Sequence, residues 1–104
     1  MDRIMDLSLN DSITIPDDVL FRELDGEAVL LNLKTGTYFG LDPVGTRMWQ
    51  LIAEQRSLAR VLEKLILEFD ADRGVLETDL MELARQLCAS GLGQVTSTES
   101  PRTG

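Results

Sequence analysis

The sequence predicts an α+β domain in which a three-stranded antiparallel meander is followed by three helices. Three observations carry that prediction. Asp25-Gly26 stands between two apolar runs, a second turn at Lys34-Thr35-Gly36 follows, and Asp42-Pro43 then switches the apolar spacing from that of strands to that of helices. The chain has 104 residues, room for one domain when domains run about 100–200 residues. With 43% apolar and 27% charged residues, it has the composition of a globular protein.

Taken in order, residues 1–10 form an acidic stretch without a clean period, expected to be a flexible arm. Ser12-Ile13-Thr14-Ile15 is β-prone and closed by Pro16. Asp25-Gly26 joins Val19–Leu24 to Glu27–Leu33, and Asp-Gly suits a two-residue hairpin because both central residues need positive φ. Thr37-Tyr38-Phe39-Gly40-Leu41 makes the third strand of the meander. Asp42 at an N-cap with Pro43 at the first helical position starts helix one, which carries Val44, Met48, Leu51 and Ile52 and ends near Glu54-Gln55. Ser57 caps a second helix whose broad stripe comprises Leu58, Val61, Leu62, Leu65, Ile66 and Phe69. Asp72 caps a third helix that runs to Ser90 and stops at Gly91. Thr96–Gly104 is polar and holds no core residue. The expected organisation is therefore an arm over 1–10, a domain over 11–95 and a disordered tail over 96–104.

Composition excludes several functions. There is no histidine, so Ser-His-Asp and Cys-His arrangements and histidine-based zinc sites cannot be built. The single cysteine cannot form an internal disulfide, no apolar run reaches the roughly 18 residues of a membrane span, and no signal peptide is apparent. The expectation is a cytoplasmic protein without metal or cofactor. Ten Lys and Arg against eighteen Asp and Glu give a net charge of −8. Met1–Asp18 holds five aspartates against Arg3, and Asp70–Ser90 holds five carboxylates against Arg73 and Arg85. A phosphate-backbone binder needs the opposite sign.

Two features point to a binding surface. On the third helix Leu76, Leu80, Leu83 and Leu87 fall on one face, an ordinary core stripe. Glu77, Met81, Ala84 and Cys88 flank it and widen the apolar surface. That flank either packs on a neighbouring helix or lines a groove, with Met81 an adaptable contact and Glu77, Asp79 and Glu82 a negative rim. The third strand is an edge of the meander, yet it carries none of the Lys, Pro or charge with which proteins usually blunt an edge. Alternation sends either Tyr38 or Phe39 away from the core. An unprotected edge beside a helix flank is what β-strand addition requires.

The segment from Leu31 to Trp49 (LNLKTGTYFGLDPVGTRMW) resembles the central signature of the pyrroloquinoline quinone biosynthesis protein D (PqqD) family, and Ser90-Gly91-Leu92 resembles the ending of that family's third helix. The likeness spans roughly Ile13 to Val95. The arm is longer and more acidic than a minimal member needs, and Gly93-Gln94 stands where a longer apolar ending is expected. The resemblance implies a winged helix-turn-helix-like fold that binds peptide: a recognition element for ribosomally made, modified peptides, including the leader-binding subunits of lasso-peptide maturation. It implies a leader peptide held as an added strand and presented to a maturation enzyme such as a leader peptidase or a radical SAM enzyme. Carried onto this sequence, the strand role falls on Thr37, Tyr38, Phe39, Gly40 and Leu41. Wheel geometry gives the helix role to Glu77, Met81, Ala84 and Cys88, with Leu80 beneath them.

Three other readings stand beside this one. The order of elements also suits a DNA-binding winged helix, but the last two helices carry the acidic run Glu68, Asp70, Asp72, Glu77, Asp79 and Glu82, which argues against a nucleic-acid partner. An enzyme could draw on the carboxylate pairs Asp17/Asp18, Asp70/Asp72 and Glu77/Asp79, although each reads as solvated loop or cap. Cys88 lacks a histidine and reads as a small buried hydrophobe. A structural module could pair its edge strand with a second copy, so both monomer and homodimer are compatible with the sequence. The expectation is an adaptor with no catalytic residue.

Overall fold

The computed structural model of the chain describes residues 7–97. The expected arm before Leu7 and the expected tail beyond Ser97 lie outside the described residues. Among the described residues, five strands and three helices follow one another: β1 (Asp11–Thr14), β2 (Val19–Leu24), β3 (Glu27–Asn32), β4 (Tyr38–Leu41), α1 (Pro43–Gln55), α2 (Leu58–Glu68), α3 (Arg73–Ala89) and β5 (Gln94–Ser97). Strands β2, β3 and β4 form the predicted meander, and β1 pairs with β5 in a separate two-stranded ribbon.

The local signals act as the sequence suggested. Asp25 and Gly26 both have positive φ (56° and 82°), the geometry that keeps β2 and β3 in a two-residue hairpin. Asp42 Oδ1 accepts from the Gly45 N–H at 2.7 Å, and Pro43 opens α1. Ser57 Oγ accepts from the Arg60 N–H at 3.3 Å and caps α2. Asp72 stands at the N-cap of α3 in extended conformation without a side-chain cap bond. At the other end of α3, Gly91 has φ 75°, while the Leu92 N–H donates to Leu87 O at 2.8 Å and the Gly91 N–H to Cys88 O at 3.3 Å. These are the two bonds of a Schellman motif, which glycine enters without a Cβ penalty.

Two expectations about the ends change. Thr96 and Ser97 continue β5, and Asp11 pairs with Ser97, so the ordered fold runs past residue 95. Leu7 is buried and Leu9 packs against the core, so the last part of the expected arm belongs to the fold. Ile13 of β1 is fully buried. Its N–H donates to Arg56 O at 2.9 Å, which ties β1 to the turn between α1 and α2. The chain after α3 must pass close to β1: a Cβ on Gly93 would lie 3.0 Å from Ile13 Cγ2.

One face of the meander and the inner faces of the helices share a single core. Ala28 and Leu30 of β3 meet Met48, Leu51 and Ile52 of α1, with Leu58, Val61, Leu62 and Leu65 of α2 and Leu80, Ala84 and Leu87 of α3 closing it. Phe21 stacks on Trp49 with centroids 4.5 Å apart and planes 4° from parallel, which locks β2 to α1. Arg47 and Glu68 join α1 to α2 on the surface through two bonds of 2.7 Å, Nε to Oε1 and Nη2 to Oε2. No helix of the described residues is long and apolar enough to cross a membrane.

Candidate functional site

The site begins with the hydrogen-bond phase of the meander. The Leu33 N–H donates to Asp18 O and the Asn32 N–H to Thr37 O, both at 2.8 Å. Successive residues of β3 thus bond to opposite neighbours, as in any strand between two antiparallel partners. Followed along the register, Leu30 and Ala28 bond Phe39 and Leu41. The N–H and C=O groups of Tyr38 and Gly40 therefore point away from β3, toward an edge on which no further strand lies among the described residues. The side chains alternate as well: Leu41 is buried and Phe39 packs against the core, while Tyr38 and Gly40 stand on the outer face.

Beside this edge runs a groove of about 420 Å³ between β4, the first turn of α1 and α3. Its apolar surface comes from Phe39, Leu41, Met48 and Leu83, and its α3 wall from Asp79, Glu82 and Gln86. Asp42, Val44 and Gly45 close one end. Gly45 is held there by a close approach, because a Cβ would lie 3.1 Å from Asp42 Oδ1 and 3.4 Å from Leu41 Cδ2. The lining includes three carboxylates and neither Lys nor Arg, so the groove favours cationic groups.

The position of α3 depends on Asn32, a polar side chain buried at the end of β3. Its Nδ2 donates to Gly91 O at 2.8 Å, while its Oδ1 accepts from the Lys34 N–H (2.8 Å) and the Thr35 N–H (3.1 Å). One residue thus shapes the turn that leads into β4 and anchors the C-terminal end of the helix that walls the groove.

Of the strand half of the expected site, Phe39, Gly40 and Leu41 line the groove, and Tyr38 lies on the same open edge. Thr37 sits just before β4, with its carbonyl oxygen committed to Asn32. The helix half does not coincide with the groove. Glu77 and Met81 lie on the other flank of α3, where with Arg85 they face Leu7, Ser8, Leu9 and Asn10 across a separate depression. Leu80 and Ala84 are fully buried in the core. Cys88 is half-buried; burial pushes its thiol up to about 11, with the Asp11 carboxylate adding to the shift. Asp79 and Glu82, expected as rim residues, line the groove together with Leu83 of the leucine stripe and Gln86, neither of which the sequence marks for the site. Both flanks of the leucine stripe are partly apolar, so helical periodicity does not distinguish the one that faces β4.

Comparison with known proteins adds the ancestry. Residues 27–92 match the family described as Coenzyme PQQ synthesis protein D (PqqD). No curated protein sequence matches the chain. Among solved structures, TbiB1 in complex with the TbiA(beta) leader peptide is similar at 36% identity and a TM-score of 0.71, covering 85% of this chain and 99% of that one. Lasso peptide synthetase B1 complexed with the leader peptide shares the fold at 23% identity and a TM-score of 0.70, covering 80% of this chain and 98% of the other. With more than half its length matched, and with the turn, edge strand and capped helix that carried the resemblance all formed, this chain belongs to the PqqD family.

Proposed function

We propose that this chain is a non-catalytic adaptor that binds the leader of a ribosomally synthesised precursor peptide and presents the precursor to a maturation enzyme, such as a leader peptidase or a radical SAM enzyme. The observation that carries the reading is the open β4 edge, where Tyr38 and Gly40 offer two outward N–H and C=O pairs beside a groove of mixed apolar and acidic lining. A leader added as a strand takes those four bonds, which give affinity with little sequence demand, and its inward side chains enter the groove against Leu83 and Met48. The site residues proposed are Thr37–Leu41 with Asp79, Glu82, Leu83 and Gln86; this replaces the flank of Glu77, Met81, Ala84 and Cys88. The acidic wall favours a leader with Lys or Arg beside its apolar residues and raises encounter rate more than affinity. The 36%-identical TbiB1 structure, which holds a leader peptide, supports this reading.

The test is a titration with the TbiA(beta) leader peptide held by the 36%-identical structure, followed by calorimetry and by amide chemical shifts. Saturable shifts over residues 38–41 and along the Asp79–Gln86 face are expected. Tyr38→Pro removes an outward N–H without breaking a β3 bond, and should weaken binding about tenfold while leaving the melting temperature in place. Saturable shifts that spare β4, or affinity unchanged in Tyr38→Pro, would overturn the proposal.

A further inference from the structure

We infer that the outer face of the sheet beside Gly40 is a second side-chain site for the same bound strand, and that it takes an aromatic residue. The inference rests on the reading of β4 as the strand-addition edge. In an antiparallel ladder, residues directly opposite one another share a face. The peptide residue bonded to Gly40 therefore projects its side chain on the outer face, opposite in sense to its neighbours in the groove. Gly40 contributes no side chain there, and nothing lies within 4 Å of where its Cβ would be.

The next residue along this cross-strand row is Val29, paired with Gly40, and after it Arg22, paired with Val29. Val29 is 45% exposed and Leu24 is 77% exposed. With Gly40 they line an open depression of about 720 Å³. Reaching Val29 from the added strand means crossing Gly40, a distance of about two strand spacings, near 9–10 Å. An aromatic side chain laid over Gly40 covers most of that gap and meets the Val29 side chain at its far edge, and a ring laid across a strand glycine restores the packing the glycine lacks. Arg22 at the far end of the row presents a guanidinium that can cover an aromatic face. The groove then reads the inward residues of the leader and the Gly40 depression reads one outward residue.

The probe is a set of short peptides selected from a random display library against the full chain and resynthesised. The expected result is a shared aromatic residue flanked by apolar ones, with affinity lost in Tyr38→Pro. Val29→Lys, a change on the exposed face, should weaken these peptides about tenfold. Replacing the peptide aromatic by alanine should cost the same on the unchanged protein and nothing further on Val29→Lys. Gly40→Val fills the depression directly and provides a second arm should Val29→Lys fold poorly. If the selected peptides depend on Tyr38 yet carry no shared aromatic, or if the aromatic and Val29 changes act independently, the second site is refuted and the edge reading stands. If no selected peptide responds to Tyr38→Pro, the edge reading falls and this inference falls with it.

Discussion

Replacing Asn32 by alanine should separate the turn, the sheet and the groove wall in one step. The side chain makes three hydrogen bonds, to Gly91 O and from the N–H groups of Lys34 and Thr35. A net hydrogen bond contributes about 1 kcal/mol, and a buried group left unpaired costs more. Here Gly91, Lys34 and Thr35 are all exposed, so water can reach the groups that Asn32→Ala frees. The expected loss is therefore about 2–3 kcal/mol, a large share of the roughly 5–15 kcal/mol that holds a domain together. Urea unfolding followed by Trp49 fluorescence measures it. Asn32→Asp divides the effect. It keeps both bonds to Oδ1 but sets a carboxylate oxygen against the Gly91 carbonyl, so it should be destabilised at neutral pH. Protonation of the new carboxyl restores a donor to Gly91 O, and the deficit should shrink as pH falls. A loss below about 0.5 kcal/mol in Asn32→Ala, or a deficit in Asn32→Asp that does not vary with pH, would refute this account of how α3 is anchored.

Other changes test other parts of the structure. The Thr46 hydroxyl is buried and has no hydrogen-bond partner among the described residues; Thr46→Val keeps the shape and should raise stability by about 1 kcal/mol, read from the urea midpoint. Met81 is nearly buried on the flank opposite the groove, near Glu77; Met81→Glu should lower stability by about 2–4 kcal/mol, and a stable variant that fails only in peptide binding would return the site to that flank. The hydrogen bonds from Arg47 hold the Glu68 carboxyl below its ordinary value of 4.5. A lowered carboxyl pKa stabilises the fold above the ordinary value and ceases to do so as pH falls through the lowered one. More than a third of each side chain is exposed, at 37% and 35%, so the effect is small. The melting-temperature gap between the unchanged protein and Arg47→Gln should narrow on going from neutral pH to strong acid, and a constant gap would count against the pair.

The meander and the three helices were legible because each boundary is written in adjacent residues. Asp25-Gly26 forces its turn through backbone sterics, and Asp42-Pro43-Val44-Gly45 carries a cap, a preset φ and a close approach in four positions. The β1–β5 ribbon was not legible. Its strands have four residues each and pair across 80 to 86 positions, so neither end carries a local sign of the other. The rotation of α3 was hidden for a different reason. Leu76, Leu80, Leu83 and Leu87 identify the buried stripe, but packing against β4 on one side and residues 7–10 on the other decides what each flank meets. Two leucines of the arm, Leu7 and Leu9, cover part of that second side, and an acidic, aperiodic stretch gives no hint of it.

The ribbon has an architectural consequence. Because Asp11 pairs with Ser97, chain enters and leaves the fold at neighbouring points, and the incoming segment at Leu7–Asn10 runs along the side of α3 away from the groove. The module is thus wired like a plug whose lead and socket lie on opposite sides of α3, the chain's own incoming segment on one flank and the open groove on the other.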